Sequence, residues 1–191
     1  MTPRLPPAQG AFARLVRGVT RRQYGEPMVE SATIYAHHPR LTRALALYNR
    51  AVEKPDVLSE PLKLLAVLRS ATVVGCEFCI DIGSEHSRNA GLSDEQLLAL
   101  PRARESGLFS EEQLLVMDYA AGMSRTPVEV NDEMVTALRG RFGAKGVLEL
   151  THMIAWENAR ARTNAALDIG VGGFSEGRVC ARPEREALAV A

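Results

Sequence analysis

Residues 61–91 read PLKLLAVLRSATVVGCEFCIDIGSEHSRNAG and contain the most apolar segment of the chain. Pro61 suits the first turn of a helix, and the residues that follow leave this helix little polar surface as far as Val74. Gly75 then ends the helix, and a second helix begins at or just before Cys76. The sequence therefore predicts a buried central helix that is followed at once by a second helix.

Helix signals recur on both sides of this stretch. Ser93 and Ser110 are each followed three residues later by glutamine, the spacing of a capping box, and Asn131 is placed to cap another helix. Residues 40–52 and 147–167 have apolar side chains at spacings of three and four, which is typical of amphipathic helices. Aromatic residues make up only 5% of the chain, and no segment alternates with a period of two. We therefore expect an all-α protein, a compact multi-helix bundle.

The chain has 191 residues, which is about the size of one domain. Residues 1–24 contain five arginines before the first acidic residue, Glu26, and three prolines before residue 10. Residues 178–191 are charged and rich in alanine, and they follow a glycine-rich stretch. We expect a helical domain over residues 25–177, preceded by a solvated basic arm and followed by a mobile tail.

Charge and cysteine content exclude several classes of protein. The 23 basic and 23 acidic side chains balance, so neither a nucleic acid nor an anionic membrane surface is an expected partner. The chain has no run of about 18 apolar residues, so no membrane span is expected. Three cysteines are too few, and odd in number, for a secreted disulfide scaffold. We therefore expect a reducing compartment, the cytoplasm.

Cys76 and Cys79 are the residues whose spacing indicates specific chemistry. At positions i and i+3 of a first helical turn, two thiols share a face and can close a disulfide, while the helix N-terminus stabilises a thiolate. This pattern predicts a reversible redox dithiol. Two alternatives are a pair of small buried apolar side chains and half of a zinc site. Since Cys180 and the histidines lie far away in the sequence, we expect no metal, and no cofactor is implied.

The run VVGCEFCID at residues 73–81, followed by GLSDE at residues 91–95, resembles the carboxymuconolactone decarboxylase-like superfamily. Within it, the chain is similar to the alkyl hydroperoxidase D-like branch, over about residues 25–180. The resemblance implies an all-helical homo-oligomer whose dithiol reduces a hydroperoxide. In the peroxidase members the second cysteine attacks the peroxide and the first resolves it, so Cys79 would be the nucleophile and Cys76 the resolving thiol. An external dithiol must then reduce the disulfide.

The sequence departs from this pattern at two positions. The peroxidase members have a histidine four residues after the second cysteine, where this chain has Gly83, and a glutamate twelve residues before the first, where it has Leu64. That pair moves protons to and from the thiols. His86 lies seven residues after Cys79 on the same helix face and could replace the histidine through a bridging water. The alternative is an exposed histidine with no catalytic role.

Three functions are compatible with these residues. The expected one is an oxidoreductase with peroxiredoxin-type activity, an antioxidant protein that acts on a hydroperoxide or a disulfide and is reduced by an external dithiol. The second is a carboxymuconolactone decarboxylase-like lyase that acts on a small lactone or carboxylate. The third is a non-catalytic, oligomeric binding protein that has lost the proton relay.

Overall fold

The computed structural model describes residues 3–54 and 56–185. Within them the regular secondary structure is helical, which confirms the all-α prediction. The α-helices are α1 (Ala11–Tyr24), α2 (Val29–Tyr35), α3 (Pro39–Glu53), α4 (Glu60–Val74), α5 (Glu77–Asn89), α6 (Asp94–Ala99), α7 (Ala103–Ser106), α8 (Glu111–Ser124) and α9 (Asp132–Leu167). Among the helices of this described part, none has both the length and the apolar character needed to cross a membrane.

Helix α4 is the centre of the fold, as predicted. Ten of its fifteen residues are buried, and it contacts α5, α8 and α9. Leu65, Leu68 and Ala71 on α4 are completely excluded from solvent. Burying a leucine side chain contributes about 1.5–3 kcal/mol, so this helix is a major source of the folding free energy. Gly75 ends α4 with the left-handed backbone (φ 77°, ψ 34°) that favours glycine.

One apolar cluster surrounds the two neighbouring cysteines and is called the dithiol core below. Its buried members include Ile34, Leu65, Leu68, Leu97, Met117 and Ala161 together with Cys76, Phe78 and Cys79. A second cluster lies along α4, α8 and both halves of α9, and includes Ala66, Val116, Leu150 and Ile154. Since α4 contributes to both clusters, it holds the cysteines in a fixed relation to the rest of the bundle.

The three predicted helix caps are present. Ser93 Oγ accepts a hydrogen bond from the amide of Gln96 at 3.2 Å, and the Gln96 side chain accepts one from the amide of Ser93 at 3.0 Å. Ser110 and Gln113 make the same reciprocal pair at 3.3 and 2.9 Å. Asn131 Oδ1 accepts from the third residue of α9 at 2.9 Å. These short-range signals place the starts of α6, α8 and α9 correctly.

Helix α9 is interrupted at Gly143, where φ is 65° and ψ is 178°. Within α9 the non-helical backbone is confined to this one residue. The second half of α9 runs in the same direction as α4. Asn158 donates to Ser70 Oγ at 3.1 Å, and Asn164, six residues further along α9, contacts Cys76, which follows α4. This parallel packing carries the C-terminal end of α9 to the cysteines.

Helix α3 lies on the surface of the bundle. The sequence predicted an amphipathic helix over residues 40–52, and the helix is present, but none of its described residues is buried. It meets α9 through Tyr48, whose ring packs edge-on against Trp156 at 5.2 Å and whose hydroxyl is 2.8 Å from His152 Nδ1. Leu47 remains 73% exposed. The predicted homo-oligomer is not tested by this arrangement and stays a prediction.

A buried ion pair fixes the chain between α3 and α4. The Lys63 ammonium is 2% exposed, donates to the carbonyls of Val52 and Lys54 at 2.6 and 2.9 Å, and lies 3.0 Å from Glu149. Burial raises the pKa of Glu149, but hydrogen bonds from the Val57 amide and from Lys63 outweigh it and hold this pKa below its ordinary value. The charged pair is thus formed and its donors are satisfied.

Both flanks of the predicted domain pack against the helices where the structure describes them. Ala8 and Ala13 are buried, and the amide and guanidinium of Arg4 donate to carbonyls at the end of α9, at 2.8 and 2.7 Å. Residues 178–185 lie across α5, through the contacts of Arg178 and Ala181. The four arginines of α1 are exposed, and the solvated arm and the mobile tail stay predictions. Residues 1–2 and 186–191 lie outside the described chain. The domain limits at residues 24 and 177 stay a prediction.

Candidate active site

The turn between α4 and α5 places the two cysteines at a helix start. The amides of Gly75 and Cys76 both donate to the carbonyl of Ala71, at 2.9 and 3.2 Å, and this reverses the chain direction. Cys76 becomes the N-cap of α5, and Cys79 lies in the first turn. The predicted position of the pair is confirmed.

The two cysteines form a disulfide, with Cα atoms 5.3 Å apart. Cys76 is 6% exposed and Cys79 is 5% exposed. The Sγ of Cys76 accepts a hydrogen bond from the backbone amide of Cys79 at 3.2 Å, the role that serine or aspartate oxygens have at other helix starts. The sulfurs are therefore shielded from solvent and lie at the positive end of the α5 dipole.

Asn164 is a site residue that sequence analysis did not assign to the dithiol. Its Nδ2 lies 3.6 Å from Cys79 Sγ and 3.8 Å from Cys76 Sγ, and its side chain is buried. The residues are 85 and 88 positions apart in the chain, and only the parallel packing of α4 and α9 brings them together. No local motif would have signalled this contact.

Asp81 ties a distant loop to the dithiol helix. Its carboxylate accepts hydrogen bonds from the amides of Gly173, Phe174 and Ser175 at 2.8, 2.9 and 2.8 Å. The loop in turn packs Phe174 edge-on against Phe78, with ring centroids 5.9 Å apart. Because Phe78 lies between the two cysteines, Asp81 fixes the apolar wall beside the sulfurs.

Residues 178–185, called the covering segment below, lie over α5. Ala181 is buried in the dithiol core, and its amide donates to Ser84 Oγ at 3.0 Å. Arg178 pairs with Glu85 at 3.1 Å. The segment thus contributes a side chain to the core that contains the sulfurs.

The far end of the covering segment is held by ion pairs. Glu184 lies 2.9 Å from the guanidinium of Arg69 on α4 and 3.0 Å from that of Arg125 after α8. Cys180, within the same segment, is a half-buried free thiol. Access to the dithiol from this side requires movement of the segment.

The two relay positions have a structural explanation. Gly83 is buried, and a Cβ at this position would lie 3.1 Å from Leu68 Cδ1, tighter than ordinary contact. A histidine there would force Leu68 to move. Leu64 is half-buried and lines a shallow surface pocket of about 250 Å³. The volume near Gly83 that a relay histidine would need is therefore filled by the dithiol core.

His86 lies away from the sulfurs. It is exposed near the end of α5 and lines the same surface pocket as Leu64 and Glu60. Seven residues of helix separate it from Cys79, about 10.5 Å along the axis. The structure does not bring His86 to the dithiol, and its catalytic role stays a prediction.

Glu157 is a second polar residue that sequence analysis did not place at a site. It is 1% exposed, its Oε2 accepts from the Arg160 guanidinium at 2.7 Å, and its Oε1 has no partner among the described residues. Burial raises the pKa of this carboxyl, and the charge of Arg160 opposes the rise only in part. Glu157 lies two turns before Asn164 on the same helix.

A cavity of about 240 Å³ borders the dithiol turn. Its wall contains Phe78, Glu30, Ser31 and residues 169–172. Within residues 3–54 and 56–185, no three or more His, Cys, Asp or Glu side chains are grouped to hold a metal ion. The expectation that the chain needs no metal stays a prediction.

Comparison with known proteins agrees with the sequence resemblance. The model of the carboxymuconolactone decarboxylase family matches residues 39–122. The uncharacterized protein YnjA of Escherichia coli (strain K12) is 33% identical over 168 residues, which are 87% of this chain and 89% of that protein.

Two solved structures share the fold over nearly the whole chain. One is an alkylhydroperoxidase AhpD core, an uncharacterized peroxidase-related protein from Ralstonia eutropha JMP134, with a TM-score of 0.75, 18% identity and coverage of 93% of this chain and 97% of that one. The other is a variant of the debrominase Bmp8 in complex with 2,3,4-tribromopyrrole, with a TM-score of 0.74, 18% identity and coverage of 97% and 96%. The chain therefore belongs to the carboxymuconolactone decarboxylase family.

Proposed function

We propose that this protein is a thiol–disulfide antioxidant enzyme that reduces a hydroperoxide with its Cys76–Cys79 dithiol. The observation that carries the proposal is the CxxC pair closed as a disulfide at the start of α5, with a buried amide donor on both sulfurs. The likeness of its fold to an alkylhydroperoxidase AhpD core supports the same chemistry. A reducing cytoplasm would supply the external dithiol.

The reaction is a two-electron reduction of the peroxide. One cysteine thiolate attacks an oxygen of the hydroperoxide, so an S–O bond forms, the O–O bond breaks, and the alkoxide leaves and takes a proton from water. The second thiol then attacks the sulfenic sulfur, an S–S bond forms, and hydroxide leaves with the thiol proton as water. An external dithiol restores both thiols by two exchange steps and becomes a disulfide itself.

The site supports this sequence through its environment. The first turn of α5 offers unpaired amides and a positive dipole end to the thiolate. The cavity beside Phe78 has room for a small hydroperoxide. Because Gly83 and Leu64 provide no ionisable group, we expect proton transfer to be slower than in the peroxidase members, by roughly 10²- to 10⁴-fold.

The homo-oligomer implied by the family is part of the proposal. Helix α3 supports it, since Leu41 and Leu47 are exposed on a helix with no buried residue among those described. A second copy would cover this surface and shield its leucines from water.

The test is thiol counting by intact mass under denaturing alkylation. Wild type, Cys79→Ser and, as a control, Cys180→Ser are treated with one equivalent of an organic hydroperoxide and then with dihydrolipoamide. We expect wild type and Cys180→Ser to lose two alkylatable thiols and regain them with dihydrolipoamide, and Cys79→Ser to form no intramolecular disulfide. If Cys76 and Cys79 stay alkylatable in wild type after peroxide, the proposal is wrong, and a lyase or binding role takes its place.

A further inference from the structure

We infer that Cys76, and not Cys79, is the attacking thiolate in this chain, and that Asn164 is a further catalytic residue that donates to it. The inference rests on the proposed function, because it states which sulfur reacts first in that reaction. It reverses the order that the resemblance to the peroxidase members implies.

The backbone of α5 favours a charge on Cys76. Its Sγ occupies the N-cap position and already accepts the amide of Cys79 at 3.2 Å. This amide is one of the donors that a helix start leaves unpaired, and a hydrogen bond to an ionised acceptor is about twice as strong as one to a neutral acceptor. Cys79 lies within the first turn, and among the described residues its Sγ has the Asn164 side chain as its polar partner. Cys76 therefore has two donors where Cys79 has one.

Asn164 can donate a hydrogen bond to whichever of the two sulfurs carries negative charge. Its Nδ2 carries two hydrogens and lies within 3.6–3.8 Å of both sulfurs. The Asn164 side chain is buried, and a hydrogen bond to a thiolate is stronger where water is excluded than in bulk water. It can stabilise the Cys76 thiolate during attack and the developing charge on Cys79 during disulfide formation.

Charged groups of both signs lie on the elements packed around the dithiol. They include Glu77 and Asp81 on α5, Arg69 on α4, Glu157 and Arg160 on α9, and Glu184 and Arg185 on the covering segment. The three buried or half-buried acids among them are held by amides or a guanidinium, and Glu77 is exposed. The guanidinium of Arg185 lies 3.9 Å from the position a Cβ on Gly75 would take, next to Cys76.

This chain lacks the histidine that would favour ionisation of Cys79. In the peroxidase members a histidine follows the second cysteine by four residues, one helical turn away. Here Gly83 occupies that position and packs against Leu68. Without this histidine, the helix N-terminus and Asn164 decide which thiol is ionised, and a thiol at a helix N-terminus has its pKa lowered.

The first test identifies the attacking sulfur. Cys79→Ser and Cys76→Ser are prepared in a Cys180→Ser background, so that each carries one thiol; Cys79→Ser keeps the backbone amide that contacts Cys76. Each is treated with an organic hydroperoxide in the presence of dimedone, and the sulfenic acid adduct is measured by mass spectrometry. We expect labelling at least about tenfold faster at Cys76 than at Cys79. The midpoint of alkylation against pH is expected to be about one pH unit or more lower for Cys76.

The second test concerns Asn164. In the single-thiol protein with Cys79→Ser, we expect Asn164→Asp to raise the alkylation midpoint of Cys76 by about one pH unit, since a carboxylate opposes the thiolate. Asn164→Leu is expected to raise it less. Asn89→Asp, an exposed change at the end of α5, is the charge control and is expected to leave the midpoint unchanged. A structural role alone would alter the urea midpoint of unfolding but not the pH midpoint.

The outcomes separate this inference from the proposed function. If wild type does not form a disulfide that dihydrolipoamide reverses, the proposed function fails. If wild type cycles but the dimedone adduct forms faster at Cys79, the function stands and the assignment of Cys76 is refuted. If wild type cycles and neither Asn164 variant shifts the pH midpoint, Asn164 is not a catalytic residue.

Discussion

Asp81→Asn tests whether one buried carboxylate holds the loop at residues 173–175 against the dithiol helix. The substitution keeps the size of the side chain and replaces one acceptor oxygen with a donor nitrogen. In wild type, Oδ2 accepts two amides and Oδ1 accepts one, all at 2.8–2.9 Å. An asparagine has one acceptor oxygen, so it can accept from the amides on only one side of the wild-type carboxylate. At least one amide of the loop would then face the NH₂ group, which is itself a donor.

The expected loss of stability follows from these contacts. A hydrogen bond to a charged group contributes about 1.5–3 kcal/mol, and a neutral acceptor makes a bond of about half that strength. Losing one charged bond of Asp81 and halving the other two gives a loss of about 3–6 kcal/mol. The control is Glu85→Gln, one turn later on α5, whose partly exposed pairs with Arg88 and Arg178 predict a loss of about 1 kcal/mol or less.

Urea unfolding followed by circular dichroism measures both free energies, and hydrogen exchange measures protection of the amides of residues 173–175. We expect Asp81→Asn to lose both stability and protection, and Glu85→Gln to retain both. If Asp81→Asn unfolds within about 1 kcal/mol of wild type and its loop amides stay protected, the carboxylate does not fix this loop and the reasoning is refuted.

Three other substitutions test separate parts of the structure. Lys63→Met is expected to lower the free energy of unfolding by about 3–5 kcal/mol, because it leaves a carboxylate and two carbonyls without their buried cation. The control, Lys145→Met at an exposed ion pair, is expected to lower it by about 1 kcal/mol or less in the same urea assay. Gly83→His is expected to lower the free energy of unfolding by about 1–3 kcal/mol, because the new side chain overpacks against Leu68. Adding Leu68→Ala is expected to make room for the imidazole, which its titration by NMR would show, but not to restore stability, because the buried leucine is then lost. His86→Ala is expected to leave the rate of disulfide formation by peroxide within about twofold of wild type, and a tenfold loss would show that this exposed histidine acts on the dithiol after all.

Local signals were sufficient to predict the elements that carry the cysteines. Gly75 ends α4 because its left-handed backbone suits glycine, and Ser93 and Ser110 begin helices through side-chain contacts within three residues. The CxxC spacing places two thiols on the first turn of α5 for the same reason, since a helix has a fixed period. Such features depend on neighbours in the sequence and can be read from it.

The remaining features of the site depend on packing between distant segments. Asn164 reaches the sulfurs only because α9 and α4 run in parallel. Ala181 enters the dithiol core although alanine carries little signal of burial in a charged segment. The absence of a histidine at Gly83 is visible in the sequence, but the contact with Leu68 that fills its place is not.

The ion pairs of the covering segment predict that access to the dithiol depends on ionic strength. Its outer end is fastened by Glu184 to Arg69 and Arg125, and its inner end by Arg178 to Glu85, and several of these side chains are partly exposed. Such pairs weaken as salt screens their charges, so a higher salt concentration would raise the fraction of molecules in which the segment is locally detached. A bulky thiol reagent would then gain more in rate from added salt than a small one.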